Sequence, residues 1–294
     1  VGVSSAGAGG VLFDGVTFDA DPATPGNQRV SAGDLAIGST SNPGAVTGDG
    51  LRLNQVSGDL AFANLTIGNT GGTGLFIRDN PASGFSFGNT GGQIVTTGGA
   101  ALDVDPIAMA SRFASVSSTG ASGQGSGGDA GIVLADIVAR DFATLGLQID
   151  SLSVTGAAGN GLTIARNTAA LSFGSTTIAN VGGTGIALVG NTGAISFGAT
   201  TVSGTGNDAV SLTGNTGAAS FGATTISGPG VAGIDIEGAT GPVTFGTTTI
   251  SGLAANGVGV DFNGATLAGP VLLSSLNVTG AGGTPPAGSI GIDL

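Results

Sequence analysis

Apolar residues in this chain recur in short alternating bursts, and from Gly161 onward the bursts themselves recur every 24 residues. Phe173, Phe197, Phe221 and Phe245 mark the period, each inside the phrase SFGSTTI, SFGATTV, SFGATTI or TFGTTTI. A second phrase precedes each of them: GLTIARNT, GIALVGNT, AVSLTGNT and GIDIEGAT. Within one period, two-residue alternation points Ile186 and Leu188 inward and Ala187 outward. Asn191-Thr192-Gly193 turns a corner, Ile195 and Phe197 point inward, and Gly198-Ala199 bends the chain. Thr200 to Val202 form a third strand, and a Gly-rich turn over 203–207 returns to the start. Three short strands per 24-residue unit, with no helical spacing over any long window, predict an all-β parallel β-helix, a solenoid in which each coil packs on its neighbours.

The pattern extends beyond the clear repeats. Counting back from Phe173 puts Ile149, Phe113, Phe87, Phe62, Ile37 and Phe13 in the same column, and counting forward adds Leu273. GLRL, GLFI, ALDV, GIVL and GLTI, starting at Gly50, Gly74, Ala101, Gly131 and Gly161, form the second column. This reading predicts about eleven coils and, at ~4.8 Å per layer, a rod of roughly 50 Å. Stacked Phe rings fill the core, and Asn80, Asn167, Asn191 and Asn215 form a corner ladder that satisfies turn backbone groups. The pairs Thr176/Thr177, Thr200/Thr201, Thr224/Thr225 and Thr248/Thr249 each place one residue inward and one outward. Ice binding by outward threonines would need a flat Thr-x-Thr face, which the sequence does not show. Departures from the period mark loops at 19–30, 117–130 and 280–289 of a single β-helix domain spanning 1–294, and loops of this kind are where solenoids tend to place binding.

Composition narrows the function classes. The 294 residues include 60 Gly and no Cys, His, Trp or Tyr. The six basic residues are all arginines, at positions 29, 52, 78, 112, 140 and 166, and the formal charge is −12. That balance excludes a nucleic-acid partner and gives an anionic membrane no basic patch to meet. No apolar run approaches the ~18 residues of a membrane span. The opening VGVSSAGAGG lacks the features of a signal peptide, so an export signal is expected upstream of it. Beyond Arg166 the chain carries acids without a single base.

The GNTGAISFGATTVSGTG-type unit resembles the right-handed parallel β-helix repeats of bacterial surface and secreted proteins, including autotransporter passengers and large repeat adhesins. The resemblance covers nearly the whole chain, more loosely before Gly161. It implies an extracellular or cell-surface location and a non-catalytic structural or adhesive stalk. Its partners would be other copies of the chain, neighbouring surface components, or host and cell-surface glycans or proteins. The right hand is expected because strand-to-parallel-strand crossovers overwhelmingly take it. Polysaccharide lyases and hydrolases share this fold, but the lysine and histidine bases they use are missing here, as are Trp and Tyr sugar platforms. Cleavage of a polysaccharide is kept as the enzymatic alternative, with Asp103 and Asp105 as its residues. A self-assembling filament or surface layer is the other.

The outward position of the second column runs Arg52, Phe76, Asp103, Val133, Thr163, Ala187, Ser211, Asp235, Asp261, Asp293. Stacked carboxylates repel unless something compensates. Asp235, Asp261 and Asp293, with Glu237 beside them, are therefore candidate calcium ligands, calcium being the natural cofactor for hard oxygen donors. A solvated acidic stripe is the plainer alternative. Asp19/Asp21 and Asp103/Asp105 read as turn and strand-end carboxylates, with structural calcium as the sharper reading. Phe76 is the one aromatic placed outward. Asn64-Leu65-Thr66 and Asn277-Val278-Thr279 match the N-glycosylation pattern. The final GIDL aligns with GVDF at Gly259, so the chain is expected to be part of a longer rod or to stack end to end.

Overall fold

Alternating apolar positions separated by sharp Gly, Asn and Asp corners leave the backbone one economical solution. Each strand hydrogen-bonds to the strand one coil away, and every inward side chain lands on its counterpart. The computed structural model describes residues 10–14, 17–18, 30–38, 46, 48–80, 84–122, 129–140, 145–239, 241–262, 267–280 and 287–294. Among them every paired strand runs parallel to its partner, and no helix occurs. The chain is a parallel β-solenoid of about nine turns. Eleven short strands, from Val11–Asp14 to Ile290–Asp293, form one sheet. The expected eleven coils count these strands. The turns are fewer because the outermost layers complete no full circuit among the described residues.

The second sheet has 15 strands and replaces the expected pair of short strands per coil. In most coils one long strand bends around two sides, as Ile107–Thr119, Leu145–Thr155, Ala170–Val181 and Val243–Leu253 do. In three coils it parts, into Phe85–Asn89 with Gly92–Thr97, Ile195–Phe197 with Thr200–Thr205, and Ala219–Phe221 with Thr224–Ser227. The bend falls at Gly174, Gly198, Gly222 and Gly246. Here the layers approach so closely that a Cβ built on Gly198 would collide with the carbonyl oxygen of Gly174.

The second-column register is as read: Leu51, Leu75, Leu102, Ile132, Leu162, Ile186 and Val210 follow one another layer by layer, all buried. The Phe column holds from Phe113 through Ile149, Phe173, Phe197, Phe221 and Phe245 to Leu273. Ring centroids of Phe173, Phe197, Phe221 and Phe245 are 4.8, 4.7 and 4.5 Å apart with interplanar angles of 14°, 7° and 5°. Before Phe113 the column fails. Phe87 pairs with Leu60 and Met109, Phe62 with Ala32 and Asn89, and Ile37 with Ile67, while Phe13 lies in the other sheet opposite Leu53. The early coils absorb their irregular lengths at different corners, so equal sequence spacing there does not mean equal position. Phe62 and Phe87 still meet, tilted by 52° at 6.0 Å.

The asparagine ladder is formed. The Asn167 backbone N–H and Nδ2 both donate to Asn191 Oδ1 at 3.0 Å. Asn191 repeats this with Asn215 Oδ1 at 3.0 and 2.9 Å, and its Nδ2 also donates to the Ile164 carbonyl at 2.9 Å. Asn80 serves its own corner through Val56 N–H and the Leu53 carbonyl. Asn89 does similar work in the other sheet for Leu65 N–H. Next to the ladder the backbone turns through the left-handed region, at Asp136 and Arg166 with φ of 51° and 54°, then at Gly190, Gly214 and Gly238.

The predicted loop at 117–130 begins later, because Ser117 to Thr119 belong to a strand paired on both sides. Residues 123–128 lie outside the described residues, as do 19–29, with Asp19 and Asp21, and 281–286. Gly280 ends a strand. Asn191→Ala would strand buried groups on both sides of the ladder, among them the Asn167 N–H and the Ile164 carbonyl. At about 1–3 kcal/mol for each unsatisfied group, we expect a loss of about 3 kcal/mol in urea unfolding, against a few tenths for the exposed neighbour Thr192→Ala.

Candidate functional site

Most of the described charged side chains gather on the outward face of the short-strand sheet and its adjoining corner. Pairings run Leu12, Arg52, Phe76, Asp103, Val133, Thr163, Ala187, Ser211, Asp235, Asp261, Asp293 in successive layers. Pointing outward does not mean being exposed. Phe76 is buried beneath the Arg52 guanidinium, whose Cζ sits 4.5 Å from the ring centroid, a cation–π contact. Arg52 also pairs with Asp49 at 3.4 Å.

Asp103 is wholly buried. Its Oδ1 accepts from Arg78 Nε at 2.9 Å and Nη2 at 2.7 Å, and its Oδ2 has no hydrogen-bond partner. Burial pushes this carboxyl up, with Arg78 pulling against the shift. Two residues along the same strand, Asp105 stands beside Asp136 of the next coil. Burial, then Asp136, push Asp105 up, whereas the Arg166 guanidinium holds Asp136 below the usual carboxylate range. Arg166 Nε lies 3.1 Å from both Asp136 oxygens, and its Nη2 is 3.9 Å from Asp105. Chemically this is a buried carboxylate, a neighbouring carboxyl pair whose proton affinities are pushed apart, and two guanidiniums that offset their charge.

The other described arginines are likewise matched: Arg112 to Asp150 at 2.7 Å, and buried Arg140 to Asp59. Beyond Arg166 no base exists to repeat the pattern. Asp208 turns its oxygen to the Ala232 N–H at 3.0 Å. Asp235 lies 3.4 Å from Ser211 Oγ. Burial, then the carboxylates of Asp208, Glu237 and Asp261, push Asp235 up to about 6. The candidate calcium ligands Asp235, Asp261 and Asp293 thus occupy adjacent layers, with Glu237 two residues along the strand from Asp235. Among the described residues no three acidic side chains converge closely enough to hold a metal ion.

Sequence reasoning missed a set of turn caps. Asp49, Asn160 and Asp208 each accept the backbone N–H of a residue 24 positions on, at 2.8, 2.9 and 3.0 Å. Their signal was present: each stands two residues before the apolar start of the second-column phrase. No protein-family model, curated protein or solved structure matches this chain.

Removing Arg78 leaves Asp103 buried without its counter-charge. Arg78→Met should cost about 2 kcal/mol at pH 7, below the 3–5 typical of a fully buried pair because the arginine is partly exposed. The loss should shrink towards pH 4 as Asp103 takes up a proton; urea midpoints at the two pH values check this. Asp235 has the opposite signature to a salt-bridged acid. Its folded pKa lies above its unfolded one, so its contribution is full below about pH 4 and is lost as pH rises through about 6. Asp103, Asp105 and Asp208 shift in the same direction. The melting temperature should therefore be higher at pH 5 than at pH 7.5, and Asp235→Asn should raise it at pH 7.5. A lower melting temperature in that variant would show that the carboxylate holds a cation.

Proposed function

We infer that this chain is a non-catalytic structural segment, a stiff stalk or spacer of an extracellular bacterial surface or secreted repeat protein, of autotransporter-passenger or repeat-adhesin type. The observation that carries the reading is the continuity of its core. Four Phe rings stack within 4.8 Å, three asparagines hydrogen-bond in series, and strands pair in register from coil to coil. Such a chain resists extension because any coil that leaves must strip a layer of backbone hydrogen bonds and a layer of core together. Other copies, neighbouring surface components, or host glycans and proteins would meet its sides.

The carboxyl pair Asp105/Asp136 is the one feature that favours an enzyme. Its members stand side by side on one guanidinium, Arg166, whereas glycoside cleavage sets its two carboxyl groups about 5–9.5 Å apart across the scissile bond. The pair therefore reads as a corner fastening.

Single-molecule pulling on the whole chain tests the stalk reading. Coils should release one after another, each step lengthening the tether by about 80 Å for 24 residues at ~3.4 Å each. One low-force rupture of the whole rod would overturn it. So would release of reducing sugar from a panel of neutral and acidic polysaccharides that disappears in Asp105→Asn.

A further inference from the structure

The face opposite in character to the charged one is the bend-to-corner stretch of the long-strand sheet. Its outward positions form two columns, at i and i+2. They run Ser117 and Thr119, Ser153 and Thr155, Thr177 and Ala179, Thr201 and Ser203, Thr225 and Ser227, Thr249 and Ser251, one pair per layer. Thr177, Thr201 and Thr225 are exposed. No charged residue interrupts either column, although the chain carries 24 charged side chains, 18 acidic and six basic. The inward partners in the same strands, Thr176, Thr200, Thr224 and Thr248, are buried. Ser251 Oγ donates to the Ile226 carbonyl at 3.3 Å, and the other outward hydroxyls are left to whatever lies outside.

Side-chain ladders of the kind that flatten a sheet run beside this face. Sheets of many strands normally twist, and flat ones are stabilised by stacking or by specific ladders. Here Phe173 to Phe245 lie within 5–14° of parallel, and Asn167, Asn191 and Asn215 bond in series one corner away. The result is a net of hydroxyl and methyl groups, repeating at ~4.8 Å along the axis and ~6.6 Å along the strand. The sequence seemed to lack a flat Thr-x-Thr face. The structure builds its equivalent from Thr-x-Ser, because the third-strand phrase TTVSG sends its second Thr and its Ser out together.

We propose that this uncharged hydroxyl plate binds ice. Crystalline ice presents rows of oxygens with two repeats close to those of the plate, carries no net charge for the rod's acidic field to act on, and needs no aromatic platform. An ordered neutral polysaccharide has a comparable repeat, but sugar surfaces recruit Trp and Tyr, which this chain lacks. Each plate hydroxyl is both donor and acceptor, so it can join a water lattice in either sense. Rigid spacing means that the adsorbed waters are ordered by the protein before the lattice meets them, which lowers the entropic cost of adsorption.

The test uses the whole chain in nanolitre osmometry and in partition into a growing ice hemisphere. Wild-type protein should show a gap between melting and freezing points, facet the crystal and be taken up by ice. The double variant Thr201→Lys, Thr249→Lys, whose lysines point away from the core and skip a layer, should lose all three effects. Unchanged far-ultraviolet circular dichroism and melting temperature would show that it still folds. Val189→Lys, exposed on the other sheet, should keep all three. Wild-type protein excluded from ice, or ice activity that survives in the double variant, would overturn the proposal. Pull-down on insoluble neutral polysaccharide without ice activity would overturn it as well.

Discussion

A residue in this molecule rests on its counterpart one coil away, and the contact is tightest where backbone meets backbone at the bends and corners. At Gly174, Gly198 and Gly222 successive layers leave no room for even a methyl group. Once the backbones approach that closely, every other choice is constrained. The next layer must bend at the same place, offer a side chain of the same size to the core, and turn its corner with the same groups satisfied. Like therefore stacks on like: Phe on Phe, Asn on Asn, buried Thr on buried Thr. The stabilising contacts are ordinary hydrophobic burial and neutral hydrogen bonds, but the close approach decides that they come in columns.

The same constraint shapes the charges. A column that puts like on like is favourable for an amide, which donates on one side and accepts on the other, and unfavourable for a carboxylate, which only accepts. The N-terminal coils answer this by alternating sign between layers. Arg78 reaches Asp103, and Arg166 reaches Asp136. The C-terminal coils lack arginine, and their carboxylates respond with a burial-raised proton affinity at Asp235 and by capping a backbone N–H at Asp208. The hydroxyl face avoids the difficulty, since Ser and Thr stack without penalty.

Much of this was legible in the sequence from Gly161 onward, because a strict 24-residue period makes spacing equivalent to position. The outward order Arg52 to Asp293 and the inward and outward members of each Thr pair could be read from alternation alone. The Phe column before Phe113 could not. There the coils differ in length, and spacing alone does not say at which corner the extra residues are absorbed. Nor could alternation show that Phe76 and Asp103 are covered. Their cover is Arg52 and Arg78, long side chains whose reach from column to column leaves no trace in a periodicity. The Thr-x-Ser plate escaped for a different reason: the phrase TTVSG contains no Thr-x-Thr, while the geometry requires only two small hydroxyl side chains two residues apart.

The sameness of the coils between Gly161 and Ile250 carries an evolutionary consequence. Because each layer presents the next with nearly the shape it received, an unequal crossover that duplicates or deletes one unit rejoins matching surfaces above and below. Most folds answer such an accident with a broken core. Here the reading length of the gene can drift in whole-coil steps, so that reach becomes a heritable quantity, adjustable without redesigning a single contact.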